Sequence, residues 1–276
     1  MKIRSLILAL CLSLSLGGCF QIDKNVQIKP DGSGTIVETV TMSAAMVTQM
    51  KAMASGFGDA SGGAGGKAKG FELLDEAKLK GEAAKMGEGV TFVSAKKIAA
   101  PDREGYTVTY AFNDISKVKL STNPPDIGGA NVKMTGKAET EPVTFGFTKG
   151  GTAEMTVMTP AMKPVVPKSK EDAAADAQQD AMNEAMLPMM QQMFKDMRMS
   201  MSVEVAGKIT ATNAAHTAGS KVTLLDVDFN KILADPAKMK AMAKIKDPNS
   251  AEAKAFLKAI PGMKVEMANP VKISFQ

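Results

Sequence analysis

Apolar and polar positions alternate from the start of the folded part of the chain. Val26 and Ile28 alternate with Gln27 and Lys29, which predicts a strand over 20–29. Lys29-Pro30-Asp31-Gly32-Ser33-Gly34 is a turn sequence, because proline presets φ and glycine supplies the corners. The β-branched run over 35–42 predicts the return strand. Ser43 then caps a helix to about residue 54, with Met46, Met50 and Met53 on one side. A helical period resumes over 72–85 and stops at Gly87 and Gly89. Two further hairpins follow, at 90–99 with 104–113 and at 142–148 with 152–159. Residues 122–130 and 160–167 are proline-rich punctuation. A long helix is expected over 170–198, opened by Ser169 with Asp172 and kinked at Pro188, which lacks the amide proton for its helical bond. Strands at 199–211 and 220–231, short helices at 236–245 and 251–259, and a closing strand at 264–275 complete the pattern. Hairpins in succession followed by helices argue for an α+β fold, an antiparallel sheet built from sequential hairpins and packed against the long Met-rich helix.

The N-terminus has a different character. Lys2 and Arg4 precede an apolar run over 6–16 that is too short to span a roughly 30 Å hydrocarbon core. Small residues follow, and Leu16-Gly17-Gly18-Cys19 resembles the bacterial lipobox. The resemblance implies cleavage after Gly18 and acylation of the Cys19 thiol, palmitate being a common chain. Two or more chains anchor stably, since each buried CH₂ contributes about 0.8 kcal/mol. Phe20 in place of an acidic residue resembles the outer-membrane sorting pattern of a two-membrane bacterium. The chain then divides into a signal peptide at 1–18, a lipidated hairpin and helix at 19–54, a flexible insertion at 55–70 with seven glycines, and the remainder of the α+β domain at 71–276.

Composition sharpens this reading. The 276 residues are 45% hydrophobic and 23% charged, so a mostly disordered chain is excluded, and a mean hydropathy of −0.05 excludes a polytopic membrane protein. There are two cysteines; Cys11 leaves with the leader and Cys19 carries lipid, so the mature domain holds together without disulfides. The formal charge of +5 falls by two, to +3, when Lys2 and Arg4 are removed, too mild a balance to argue for nucleic acid.

The methionines are the unusual feature. Of 22, eight lie between Met182 and Met201. On a helix Met182, Met186, Met189, Met190, Met193 and Met197 share an arc of about 100°, flanked by Phe194 and Leu187. This face is buried, either against the protein's own sheet or around an apolar ligand such as a lipid tail, for which soft, adaptable thioethers are suited. Copper(I) is disfavoured because the stripe is continuous and neither Cys nor His defines a site.

Other motifs reduce to ordinary structure. Asp31-Gly32-Ser33-Gly34 lacks the acidic ligands of a calcium loop and has Met42 at the twelfth position. Gly65-Gly66-Lys67-Ala68 lacks the remaining glycine, the terminal hydroxyl and the preceding strand of a phosphate loop. Asp226 and Asp228 alternate on one strand face and read as a solvated face sooner than a glycosidase pair. His216 reads as a turn residue. No catalytic residue, metal ligand or cofactor is assigned.

Val26-Gln27-Ile28-Lys29-Pro30-Asp31-Gly32-Ser33-Gly34-Thr35, the segment from Tyr106 to Asp114 and the stretch from Gly207 to Asn213 together resemble LppM-type bacterial lipoproteins. That resemblance implies an exported, membrane-anchored α+β domain suggestive of lipid binding. The expectation is therefore a non-catalytic envelope lipoprotein, partnered with the membrane through Cys19 and binding a lipid or other apolar ligand. The alternatives are a structural or protein-interaction lipoprotein without a ligand and, more weakly, an envelope hydrolase.

Overall fold

A computed structural model describes residues 20–58, 72–123, 141–160, 194, 196–235, 237–238, 241, 245, 247 and 250–276. The fold is mixed α and β and dominated by strands. Strands β1 (Phe20–Ile28) and β2 (Gly34–Ser43) pair antiparallel in full register from Phe20↔Met42 to Ile28↔Gly34. Their turn closes because Asp31 Oδ1 accepts from Ser33 N at 2.9 Å and Ser33 Oγ at 2.7 Å, while Gly32 takes φ 85°. Gly34 has no substitute, since a Cβ there would lie 2.0 Å from the Gln27 carbonyl.

Helix α1 (Ala44–Gly58) begins directly after β2, with Ser43 Oγ accepting from Met46 N at 3.3 Å. It continues past the expected end near 54, so 55–58 are helical and do not begin a loose insertion. Helix α2 (Glu76–Lys85) is capped by Asp75 and buries Leu79 and Ala83. Strands β3 (Thr91–Ala100) and β4 (Arg103–Phe112) pair antiparallel, and β4 pairs with β2. A 3-10 turn (Ile115–Lys117) leads to the short β5 (Lys119–Leu120). Strands β6 (Val143–Thr148) and β7 (Ala153–Met158) pair antiparallel.

The second half of the chain departs from the sequence expectation at four places. Of the long Met-rich helix expected over 170–198, residues 170–193 and 195 lie outside the described residues, and its expected end is corrected: Asp196 takes φ 60°, and Arg198 opens strand β8 (Arg198–Val205). The strand expected over 199–211 is two. Gly207, at φ 132°, turns the chain from β8 in one sheet to β9 (Ile209–Thr212) in the other. After β10 (Thr217–Ala218), strand β11 (Lys221–Asp228) ends three residues early, because Asp228 caps helix α3 (Phe229–Leu233). Helix α4 (Ala251–Ala259) falls as expected, capped by Ser250. The single closing strand is likewise two, β12 (Met263–Val265) and β13 (Val271–Phe275), in different sheets on either side of a cis Asn269–Pro270 bond.

The larger sheet runs β10-β11-β8-β1-β2-β4-β3, with β12 also on β11; the smaller runs β5-β6-β7-β13-β9. Sequential hairpins alone do not build them. β1 pairs parallel with β8, from Gln21↔Arg198 to Ile28↔Val205, and β13 inserts between β7 and β9. A parallel neighbour so distant in sequence leaves no turn signal, so the wholly antiparallel expectation is corrected here. One core joins the two sheets, with Val26, Ile28, Ile36, Val40 and Val203 from the larger and Val157, Ile273 and Phe275 from the smaller. A satellite of Ile232, Leu257 and Ile260 packs beneath the C-terminal helices.

Candidate functional site

Phe20 is the first residue described, and it is already a buried strand residue paired with Met42. Position 19 is therefore joined to the sheet with no intervening spacer. Cys19 and Gly18 themselves lie outside the described residues, as do Met182, Met186, Met189, Met190 and Met193 of the methionine stripe. Of the two that are described, Met197 sits in the core and the flanking Phe194 is half-buried against it. Met197 is 3% exposed, and its backbone ties 194 to α3: its N–H donates to the Phe194 carbonyl and its carbonyl accepts from Phe229 N–H, both at 3.0 Å. The Phe194 ring stacks on Phe229 with centroids 5.5 Å apart.

Strand alternation gives the larger sheet two faces. Ile22, Val26 and Ile28 of β1 point into the core; Gln21, Asp23, Asn25 and Gln27 point out. At the end of the outward face nearest position 19, side chains from four strands form a concave groove of about 280 Å³, lined by Gln21, Asp23, Thr39, Thr41, Arg103, Arg198 and Ser200, with Ile22 at its base. Register explains the convergence. Arg198 is the parallel partner of Gln21, and Thr41 its antiparallel partner. Arg103, paired with Ser43 at the start of β4, reaches across β2, its Nη1 donating to Gln21 Oε1 at 2.6 Å and Thr41 Oγ1 at 3.0 Å.

Arg198 is held at the other wall. Its Nε and Nη2 donate to the two carboxylate oxygens of Asp226 at 2.9 and 3.0 Å, a bidentate pair that raises the pKa of the guanidinium. Ser200 Oγ donates to Asp23 Oδ2. The polar network continues along the face, with Asn25 Nδ2 donating to Glu204 Oε2 at 2.9 Å and the Thr39 and Thr107 hydroxyls 3.0 Å apart. The Asp226–Asp228 pair is thus split between two structural duties: Asp226 orients Arg198, and Asp228 accepts from Asn230 N at 3.2 Å as the cap of α3. His216 lies in the bend before β10, its carbonyl accepting from Thr223 N at 2.9 Å.

The inward face holds an ion pair. Lys24 and Glu38 are register partners, 7% and 5% exposed, with Nζ 3.1 Å from Oε2; Nζ also donates to the Ser121 carbonyl at 3.3 Å. Tyr106 and Tyr110 pack nearby, and burial, seconded by the Glu38 charge, raises both phenol pKa values well above the ordinary range. Tyr110 Oη donates to the Leu79 carbonyl at 3.2 Å.

Sequence reasoning named neither the groove nor this ion pair. The pair did leave a signal. Lys24 and Glu38 each occupy an apolar phase of an alternating strand, equally far from the turn at 29–33, so the hairpin must set them opposite one another. The groove left none, because it needs the parallel β1–β8 pairing. Among the described residues no cluster of His, Cys, Asp or Glu is arranged to hold a metal, and no helix is long and apolar enough to cross a membrane.

No family model matches the sequence, and a search of the curated proteins finds no match. Among solved structures, the NMR structure of the folded domain of the Mycobacterium tuberculosis LppM protein is similar over 94% of this chain and 91% of that one, at 8% identity and a TM-score of 0.28. A TM-score of that size assigns no shared fold.

Proposed function

We propose that this protein is a non-catalytic module of a bacterial envelope, anchored by acyl chains on Cys19 and held against the bilayer, on the periplasmic or outer face of an outer membrane where the host has one. The observation that carries the reading is the junction at position 19. A sequence resembling a lipobox ends where a buried strand begins, so an acylated Cys19 would place the end of the larger sheet at the membrane surface. The intact mass of the chain purified from a host with lipoprotein maturation tests it. The expected mass lacks residues 1–18 and gains acyl chains; a chain that keeps its leader and gains no acyl mass overturns it.

Within that reading, an apolar or lipid ligand at the methionine stripe of Met182, Met186, Met189, Met190, Met193, Phe194 and Met197 is the first role. Its support is the amphipathic spacing and the adaptability of thioethers. Co-purified lipid in native mass spectra is the expected result, and a clean apo mass counts against it. A second role, a structural or protein-interaction lipoprotein, is favoured by Met197 and Phe194, which pack on the core and on Phe229.

A further inference from the structure

We infer that the outward groove between Arg103 and Arg198 is a binding site for a phosphate monoester or diester, its source being the headgroup of a phospholipid in the membrane that anchors the chain. The chemistry of the site is independent of the anchor; the choice of source rests on acylation of Cys19.

Three features carry the inference. The first is geometry. The lining has two guanidinium groups and the Asp23 carboxylate beside hydroxyls of Thr39, Thr41 and Ser200, while the Asp226 carboxylate pairs with Arg198 from outside the lining, so the formal charges balance and the donors are what the groove offers. Guanidinium is the side chain whose planar fork best matches phosphate oxygens, and the Thr41 hydroxyl, which accepts from Arg103, has its own proton to donate to an oxygen that remains. The second is preorganisation. Gln21 and Thr41 hold Arg103, and the Asp226 carboxylate holds Arg198, so neither long side chain must be ordered from solution when an anion enters. The Asp226 contact occupies two of the five guanidinium protons of Arg198. The third is size. A groove of about 280 Å³ in which Ile22 is the one apolar residue of the lining suits a headgroup fragment. This separates the site from the methionine stripe.

Position supplies the source. Gln21 lies two residues beyond Cys19, at most about 7 Å along the chain. An anchor at Cys19 would bring the groove to the depth where lipid phosphates lie. The glyceryl or other hydroxyls of a headgroup would then meet Gln21, Asp23 and Thr39, which offer both donors and acceptors.

The test is a titration of the whole chain, purified in dodecyl maltoside, a detergent without phosphate. The probes are inorganic phosphate and dihexanoyl phosphatidylglycerol, with sodium chloride at matched ionic strength as control. The readout is the Nε–Hε NMR resonances of Arg103 and Arg198. Both probes should shift them saturably, the phospholipid at concentrations about tenfold lower than phosphate, and chloride should not. Arg198 is a surface side chain, so Arg198→Gln should keep its melting temperature and weaken both titrations about tenfold or more. Arg103→Gln should weaken them similarly, and Arg198→Gln keeps the test valid if that variant does not fold. Absence of saturable shifts with both probes, or shifts unchanged in Arg198→Gln, overturns the site. Equal affinity for the two probes upholds the phosphate site and overturns the lipid source. The intact mass of the same sample reports acylation separately, so a failed anchor and a failed groove are distinguishable.

Discussion

Single residues carry opposite kinds of cost on the two faces of the larger sheet. On the inward face Lys24 and Glu38 are both buried and depend on each other. Replacing one alone leaves the other charge in the core, and Lys24→Met should destabilise the fold by about 3–5 kcal/mol. The double variant Lys24→Met, Glu38→Leu should recover most of that loss, because no charge then remains to be desolvated. Urea unfolding of the two singles and the double measures the coupling; equal losses in single and double variants would show that packing, not charge, holds the pair. At the smaller scale of the turns, Asp31 and Asp114 have lowered pKa values, chiefly from hydrogen bonds donated by the side chains of Ser33 and Ser116. A lowered folded value means that their contribution is complete above the ordinary carboxylate value near 3.8 and is lost as pH falls below it. Stability should therefore drop as the pH is taken from about 5 toward 2, and Asp31→Asn with Asp114→Asn should flatten that part of the curve. Thermal melts across that range supply the comparison. The buried pair was legible in the sequence as two charges out of phase with their strands, whereas a groove that converges through distant pairings was not.

At the scale of elements, local signals located most strands and helices, and the errors cluster where one glycine or one cap redirects the chain. The alternation around 20–42 and the turn residues at 29–34 suffice for the first hairpin, because both signals are local. The apolar period over 199–211 is equally regular, yet Gly207 divides it. Its φ of 132° is open to glycine at little cost, and a Cβ there would lie 2.3 Å from the carbonyl oxygen of Gln276. Gly207→Ala should consequently destabilise by about 1–3 kcal/mol through backbone strain, with further loss from displacing the pairing of Lys208 with Gln276. Denaturant unfolding reads the first, and unchanged exchange rates of the Lys208 and Gln276 amides, where faster exchange is expected, would contradict the second. Asp228 is the same lesson at a helix start. In strand alternation it looks like the partner of Asp226, but its carboxylate accepts from the amide of Asn230 and ends the strand. Capping residues and strand-face residues have the same composition, so alternation alone cannot separate them.

The whole molecule is held together by the order in which its strands enter the sheets. The first strand described and the last one are both interior strands: β1 lies between β8 and β2, and β13 between β7 and β9. The larger sheet takes its last strand from β12 and the smaller cannot be completed until β13 has been placed, and the core of Val26, Ile36, Val157 and Phe275 is continuous across both. This argues that the two sheets unfold together, since exposing one opens the shared apolar layer of the other. Deleting Val271–Phe275 and the final Gln276 provides a direct test. If the smaller sheet were an independent unit, the larger would keep its dispersed amide spectrum and a sharp melting transition. A shared core instead predicts that the truncated chain loses both, because β7 and β9 lose their common partner and buried Val271, Ile273 and Phe275 leave the interface. Each such side chain contributes about 1.5–3 kcal/mol when fully buried, so losing three approaches the entire stability of an ordinary domain. The same wiring fixes the groove: β1, which follows the proposed anchor directly, is locked between β8 with Arg198 and β2 with Thr41, so any pull on position 19 is borne by the strand that forms the floor of the site.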